Sequence, residues 1–180
     1  MITGKVEAFV EKDGVWTPVA EFSNNILYSG YDAMAKALGG DRDYVVNGMY
    51  VEFMNGSPSE PTISLTRDVS HYKSLTSPYG YIRFKTLSDP VYSASDGGVY
   101  TSNRVTFTGV TKGISSGGAG VVDGTSQFFS VALAAIPDIE DDSKDVLVSA
   151  AAIKSGGVFA PMIKAANSQL AFRWTIKLGG

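Results

Sequence analysis

The chain contains no cysteine and only one histidine. Without thiols it cannot form disulfide bonds or thiolate metal sites, so packing and hydrogen bonds must stabilise the fold. His71 is the only side chain whose ordinary pKa lies near neutrality, and a histidine-based triad or metal site would have to use it. No motif surrounds it in Val69-Ser70-His71-Tyr72. We therefore assign His71 a surface or packing role.

Excess positive charge and long apolar runs are also missing. The formal net charge is -3, so a nucleic-acid backbone is not the expected partner. No run approaches the roughly 20 apolar residues that a membrane helix needs. The first residues do not resemble a secretory signal, because no basic segment precedes an apolar stretch. We expect no nucleic-acid or membrane binding, and synthesis in the cytosol.

What the sequence does contain is typical of β structure. The 180 residues include 20 glycines, nine tyrosines and nine phenylalanines, which favour turns and strands. The hydrophobic fraction is 44% and the charged fraction 18%, which excludes global disorder. This length suits one β-rich domain over residues 1–180.

Two segments give the clearest strand patterns. Large apolar residues alternate with other residues from Leu170 to Leu178, which predicts a long central strand that buries Trp174. Near the start, Asp13-Gly14 joins two strand-like runs and predicts a hairpin. Pro18 removes a ladder hydrogen-bond donor, so the second strand of this hairpin is expected at a sheet edge or at a bulge.

One short helix is predicted at about residues 30–38. Ser29 and Asp32 have the spacing of a capping box, and Gly39-Gly40 offers a left-handed end. Tyr31, Met34 and Leu38 share one helical face, which we expect to lie on a sheet, with Lys36 in water.

Together with further candidates, the strand patterns recur every 8–12 residues and total about eight. They predict an antiparallel β-sandwich or barrel-like domain with long loops. The segment from Val146 to Ile153 is rich in alanine, so a helix remains an alternative there. Residues 81–87 alternate apolar and basic side chains, which predicts a strand with one wet face.

A formal catalytic motif occurs in the Gly/Ser-rich tract at about residues 112–124. Gly113, Ser115 and Gly117 match Gly-x-Ser-x-Gly, but the nucleophile elbow needs a buried strand before it and a helix after it. Here glycine and serine flank the match, so we interpret it as compositional. We expect no enzyme activity, cofactor or metal.

The same tract has few side chains able to anchor it, so we expect a mobile loop that is held only in an assembled particle. A second loop concentrates carboxylates between Pro137 and Asp145. Such density can bind calcium, but the calcium-hand spacing is absent; a solvated loop, a cation site and a surface for a basic partner remain open. The candidate assembly contacts are Gly113, Ser115, Gly117, Gly118, Asp138, Asp141 and Asp142.

Two segments resemble parts of small virion proteins of tailed bacteriophages. Residues 23–40, Ser-Asn-Asn-Ile-Leu-Tyr-Ser-Gly-Tyr-Asp followed by Ala-Met-Ala-Lys-Ala-Leu-Gly-Gly, resemble an asparagine-rich strand end that leads into a Gly-x-Asp helix. Residues 169–176 resemble the closing strand of the same proteins. The resemblance implies a non-enzymatic virion subunit of the capsid decoration, neck, tail or fibre base. Its partners would be other virion proteins and further copies of itself, and no functional residues are carried over.

A carbohydrate- or receptor-binding module of a tail fibre is the alternative function. Exposed tyrosines of the middle third would then stack on sugars, although the same residues can pack in a core or between subunits. The residues concerned are Tyr72, Tyr79, Tyr81, Tyr92 and Tyr100.

Overall fold

The computed structural model describes residues 2–85, 89–94, 103–111, 116–117, 126–163 and 169–178. The longer strands are β1 (Ile2–Lys12), β2 (Val15–Ser23), β4 (Val46–Asn55), β5 (Tyr79–Lys85), β7 (Arg104–Val110), β9 (Ser126–Ala135), β10 (Val146–Ala152) and β14 (Gln169–Leu178). The short strands are β3 (Asn25–Ile26), β6 (Val91–Ser93), β8 (Ser116–Gly117), β11 (Lys154–Ser155), β12 (Val158–Phe159) and β13 (Met162–Ile163). The helices are α1 (Tyr28–Leu38) and α2 (Val69–Lys73), and single 3₁₀ turns span Arg42–Tyr44 and Asp142–Lys144.

Two antiparallel sheets pack face to face, which confirms the predicted β-sandwich. Sheet A has the strand order β2-β1-β14-β7-β6, and sheet B has the order β3-β10-β9-β4-β5-β8 with β13 beside β9. The inner faces of both sheets contribute to one hydrophobic core. The described strands of each sheet form an open series, so the barrel alternative is not realised in this part of the chain.

The closing strand β14 pairs centrally, as predicted. It lies between β1 and β7, with Val6 opposite Trp174 on one side and Phe107 opposite it on the other. Leu170, Phe172, Trp174 and Ile176 are buried, whereas Leu178 at the strand end is half exposed. Sequence alternation therefore identifies four of the five inward side chains.

The β1–β2 hairpin is also confirmed. Its two turn residues, Asp13 and Gly14, both have positive φ, 53° and 82°, which is the backbone that a tight two-residue hairpin requires. Strand β2 ends sheet A, and the register shifts between Ala8 and Phe9 so that Phe9 faces Pro18. The proline thus lies on an edge strand next to a bulge.

Sheet B is covered on both faces. Its inner face packs on sheet A, and its outer face forms a second cluster with Leu27, Val69 and Tyr72 from the segments that cross it. Strand β5 was expected to have one solvent-exposed face. Over much of the strand this face is absent, because Tyr81 on one face and Ile82 on the other are both buried. The alanine-rich segment is strand β10, and the helical alternative is excluded.

The helix exists where predicted, but its orientation was predicted wrongly. Leu27, rather than Ser29, occupies the N-cap position, and no side chain caps it. Ser29 Oγ instead donates to the Leu147 carbonyl at 2.7 Å. Tyr31 is 49% exposed and Leu38 91% exposed, whereas Gly30 and Ala33 are buried. Of the three predicted inward residues, only Met34 is partly buried.

Close contact with the sheet explains this reversal. An added Cβ on Gly30 would lie 2.0 Å from the Val148 carbonyl oxygen, so only glycine fits at this point. Tyr31 and Leu38 cannot occupy such a narrow gap, and they lie on the opposite helical face. Lys36 is exposed, as expected, and the helix ends at Gly39–Gly40 with Gly40 at φ 91°. Gly40 N donates to Ala37 O and Asp41 N to Lys36 O, which is a Schellman end.

We predict that Trp174→Ala destabilises the protein by about 3–5 kcal/mol, because the indole fills the sandwich core and its removal leaves a cavity. Urea unfolding followed by circular dichroism measures the change. Leu178→Ala is the matched control on the same face of the same strand, and its half-exposed side chain should cost far less. Equal losses in the two variants would contradict the assignment of Trp174 to the core.

We predict that Gly30→Ala destabilises the protein by about 1–3 kcal/mol, although alanine has the higher helix propensity. The physical reason is the clash of the new Cβ with the Val148 carbonyl. Ala35→Gly, at an exposed position of the same helix, is the control for propensity and should cost about 0.5–1 kcal/mol. A stability gain for Gly30→Ala would show that the helix lies further from the sheet.

Candidate functional site

A cluster of buried polar side chains lies on the outer face of sheet B, and we call it the Glu52 network. Its members are Glu52, Arg67, His71 and Ser130. Ser130 Oγ donates to Glu52 Oε2 at 2.8 Å, and Arg67 Nη1 lies 3.3 Å from the same oxygen. His71 Nε2 lies 3.2 Å from the other carboxylate oxygen, Oε1. Both oxygens of the buried carboxylate are therefore paired.

The network joins a crossing segment to sheet B. Glu52 and Ser130 face each other on β4 and β9, on the outer face of the sheet. Residues 56–78 cross this face and carry Arg67 and His71, with Asp68 capping α2 through the Ser70 N–H at 2.9 Å. Arg67 Nη2 also donates to the Thr62 carbonyl at 3.3 Å, within the same segment. The buried carboxylate therefore anchors the segment over the sheet.

Opposing effects act on the Glu52 carboxyl. Burial alone raises its pKa, but hydrogen bonds from His71 and Ser130 and the charges of His71 and Arg67 outweigh burial. The pKa of Glu52 is therefore lowered, and the group is ionised at neutral pH. Burial and the Glu52 charge together raise the pKa of the neighbouring Tyr72 phenol above its usual value.

The arrangement of these groups is that of an anchor. In a Ser-His-acid triad, histidine lies between serine and carboxylate. Here Ser130 donates directly to Glu52, and His71 approaches the opposite carboxylate oxygen. His71 is partly exposed and packs edge-on against Tyr72, with ring centroids 5.2 Å apart. This is the packing role that the sequence predicted for it.

The acidic loop is fixed to sheet B by Arg83. Its guanidinium pairs with Asp145 through Nε at 2.6 Å and Nη2 at 2.9 Å, and it also donates to the carbonyls of Asp138 and Ile139. Tyr50 donates to Asp145 from the other side at 2.5 Å. The bonds to Asp145 raise the pKa of Arg83, and burial with the nearby carboxylate raises that of Tyr50. The loop is thus an ordered part of the fold.

The three predicted contact residues of this loop have local partners. Asp141 accepts from Ser143 N at 2.8 Å, and Asp138 accepts from Glu140 N at 2.9 Å. Asp142 forms an ion pair with Lys73 of α2 at 2.8 Å. Among the described residues, no three acidic or histidine side chains come together closely enough to hold a metal ion.

The Gly/Ser-rich tract is described only at Ser116–Gly117. These two residues form β8, which pairs with Tyr81 and Ile82 at the end of sheet B. Gly117 therefore lies at the sheet edge. Gly113, Ser115 and Gly118 lie outside the described residues. So does the rest of the tract, residues 112–115 and 118–124, for which mobility is expected.

The tyrosines of the middle third do not form one surface. Tyr72 and Tyr81 are buried and pack against each other and against Tyr50, with ring centroids 4.8–5.7 Å apart. Tyr79 lies on sheet B and Tyr92 on sheet A. Tyr72 and Tyr81 therefore pack in a core, which is one of the alternatives to sugar binding given above. Tyr100 lies outside the described residues.

An open cleft of about 960 Å³ lies where the ends of β2 and β10 diverge beside residues 60–63. Two ion pairs line it, Lys5–Glu21 at 2.9 Å and Lys154–Glu60 at 2.6 Å. Because each positive group has a negative partner, the cleft does not present a charge of one sign to a ligand.

Two exposed apolar surfaces lie on different layers of the molecule. The first, the helix stripe, consists of Tyr28, Tyr31, Ala35 and Leu38 on the outer face of α1. The second, the hairpin patch, is the group of exposed apolar side chains on the edge strand β2 of sheet A, namely Val15, Trp16 and Val19; Val15 and Trp16 are consecutive and project to opposite faces of the strand, so the group surrounds the edge. Both surfaces present large hydrophobic groups to solvent.

Comparison with protein-family models, with curated proteins and with solved structures found no match. Within the described part of the chain, no helix combines the length and the apolar character needed to cross a membrane.

Sequence reasoning missed Glu52, Arg67, Arg83 and the role of Asp145. One signal was present, because Glu52 interrupts the apolar run from Met49 to Met54 and a charge inside a buried strand needs a partner. The partners themselves are 15 and 78 residues away along the chain, for Arg67 and Ser130. Pattern reading over a short window cannot find such pairs.

We predict that Glu52→Gln destabilises the protein by about 3–5 kcal/mol at pH 7, because it leaves the buried Arg67 guanidinium without its counter-charge. Urea unfolding measures the loss. Glu21→Gln is the control, since this exposed glutamate also pairs with a base but in water, and its loss should be below about 1 kcal/mol.

The effect should depend on pH in one direction. A carboxyl whose pKa is lower in the folded state stabilises fully above its unfolded pKa, and this contribution disappears as pH falls through the folded pKa. The gap between wild type and Glu52→Gln should therefore be constant near neutrality and shrink below the ordinary glutamate pKa of 4.5. A gap that widens on acidification would refute an ionised, paired Glu52.

Proposed function

We propose that this chain is a non-enzymatic structural subunit of a tailed-bacteriophage virion, which assembles through contacts with further copies and with other capsid or tail proteins. The observation that carries the proposal is the pair of separate apolar surfaces, the helix stripe and the hairpin patch. The resemblance of residues 23–40 and 169–176 to tailed-phage proteins supports the same assignment.

The two surfaces favour assembly because each has a physical cost in the free subunit. Soluble monomers rarely expose several large apolar side chains together, and such patches usually mark protein contacts. The hairpin patch also lies on a sheet edge, where unpaired backbone groups favour pairing with another chain. Each contact can be weak, since repetition over a particle supplies avidity.

The helix stripe lies inside one of the resembling segments. Tyr28, Tyr31, Ala35 and Leu38 all belong to residues 23–40, and they point away from the core that their own chain forms. Folding therefore does not require their size or apolar character. A role between subunits explains both properties, because a subunit contact needs large apolar groups on the outside.

The acidic loop is the proposed contact for a basic partner. Its rigid attachment through Arg83 presents Asp138, Asp141 and Asp142 at fixed positions. A partner that binds Asp142 would compete with Lys73, which already pairs with that carboxylate. We infer that this contact sets orientation more than affinity, because exposed ion pairs contribute little energy.

The proposal does not involve catalysis. The bonds of the Glu52 network connect its own members across a segment and a sheet. Its groups are thereby occupied in anchoring residues 56–78. We infer a structural role for them.

We predict that the purified chain self-associates with rising concentration, as light scattering and electron microscopy would record. Val15→Ser with Trp16→Ser should reduce the size of the assemblies while the melting temperature stays unchanged, because both side chains are exposed. Val158→Ser, at an exposed valine of the β11–β12 hairpin, is the matched control and should assemble as wild type does. A chain that stays monomeric and binds glycans on an array would instead support the carbohydrate-binding alternative.

A further inference from the structure

The outer face of α1 is a continuous apolar line. Tyr28, Tyr31, Ala35 and Leu38 follow the spacing i, i+3, i+7 and i+10, so they lie above one another along the helix. The opposite face, with Gly30 and Ala33, lies on β10. The helix is thus apolar on both sides, and its own chain covers only one of them.

The stripe continues onto a neighbouring loop. Tyr28 N donates to the Leu65 carbonyl at 3.0 Å, and Leu65 is itself exposed. The exposed fractions of these side chains correspond to an apolar area on the order of 500 Å². Two such surfaces together would bury about 1,000 Å², which is the lower limit for a specific interface. A second copy of the same surface therefore supplies enough area, with a modest affinity.

The order of side chains along the stripe suits a reversed copy of itself. When two α1 helices run antiparallel about a twofold axis near residue 33, Tyr28 of each copy faces Leu38 of the other. Tyr31 then faces Ala35, so that this ring meets a small side chain. The close Tyr31–Ala35 contacts near the axis and the larger Tyr28–Leu38 contacts at the ends are both apolar, and pairing a large with a small group lets packed helices interdigitate.

The charges beside the stripe are also self-complementary. Asp32 and Lys36 lie on one flank of it, one turn apart, and form an exposed ion pair at 2.8 Å within the helix. Reversal about residue 33 sets Asp32 of one copy opposite residue 34 of the other, so that Lys36 of that other copy lies two positions away, an axial offset of about 3 Å that its long side chain can span. Two intermolecular pairs can therefore form in place of the internal ones, whereas a parallel arrangement would set like charges side by side.

We propose that the helix stripe is a homodimer contact, in which a second copy of this chain docks its α1 antiparallel on the first about a twofold axis. Self-complementary contacts of this kind are the commonest in homo-oligomers. The inference rests on the proposed function, since it names the partner for one of the two apolar surfaces. The dimer is a closed unit, and the hairpin patch stays outside it.

Charge reversal tests the proposal without relying on a loss of function alone. Asp32→Lys gives each copy two positive groups on the flank, and Lys36→Asp gives each copy two negative groups. Either variant alone should dimerise at least about tenfold more weakly than wild type, which corresponds to roughly 1.4 kcal/mol. An equimolar mixture of the two should regain the dimer, because every facing pair is then of opposite sign. Sedimentation equilibrium with one variant carrying a fluorescent label measures the mixed species.

All proteins in this experiment carry Val15→Ser and Trp16→Ser, so that contacts through the hairpin patch do not obscure the dimer. Lys12→Asp, at an exposed position far along the sequence from α1, is the control for net charge and should leave the dimer unchanged. Leu38→Asp should abolish it at an unchanged melting temperature, since Leu38 is exposed.

Two results would overturn the inference. One is a monomeric parent at every accessible concentration, and the other is a mixture of the charge variants that does not regain the dimer. Neither result bears on the proposed virion role, because that role is tested separately through assembly with the hairpin patch intact. Conversely, a dimer that forms as described would stand even if the chain assembles no further.

Discussion

Burial of sheet B on both faces is the constraint on which the rest of the structure depends. Sheet A closes one side of it, and α1 with residues 56–78 closes the other. Strands in this position must be apolar on both faces, as β9 is over almost its full length. Any polar group there must be paired inside the protein, since water does not reach it. Glu52 and Asp145 meet this requirement through Arg67 and Arg83, and these two carboxylates attach the segment and the acidic loop to the sheet.

The same constraint determines how the helix lies. A layer packed on a covered sheet must come close to it, and the outer face of sheet B permits this through small residues such as Ala132, Ala134 and Ala150. The helix places Gly30 and Ala33 on this side, and a larger group at Gly30 would clash with the Val148 carbonyl. Tyr31 and Leu38 therefore lie on the outside. The exposed stripe is thus a geometric consequence of tight packing on the inner side of α1.

These relations explain what the sequence could predict. Alternation located β14, and Asp13-Gly14 located the first hairpin, because both signals are local and depend on period or φ. The helix limits were also predicted, but its orientation was not, since hydrophobic periodicity ranks faces by apolar size and ignores the space available. The Glu52 network was missed because its partners come from distant segments. The β11–β12 turn had a local signal, Gly156-Gly157, which was overlooked.

In this architecture, interior and surface residues have different roles. Paired charges and small residues fix the interior, so the helix stripe and the hairpin patch can change without loss of the fold. The two surfaces differ in symmetry: a reversed α1 pair closes on itself, whereas an edge strand or hairpin that meets a different surface of the next copy continues a ring or a filament. A subunit with one contact of each kind can form closed pairs and still extend an assembly. Weak individual contacts then favour correct geometry, because a misplaced subunit dissociates before additional contacts with neighbouring subunits stabilise it.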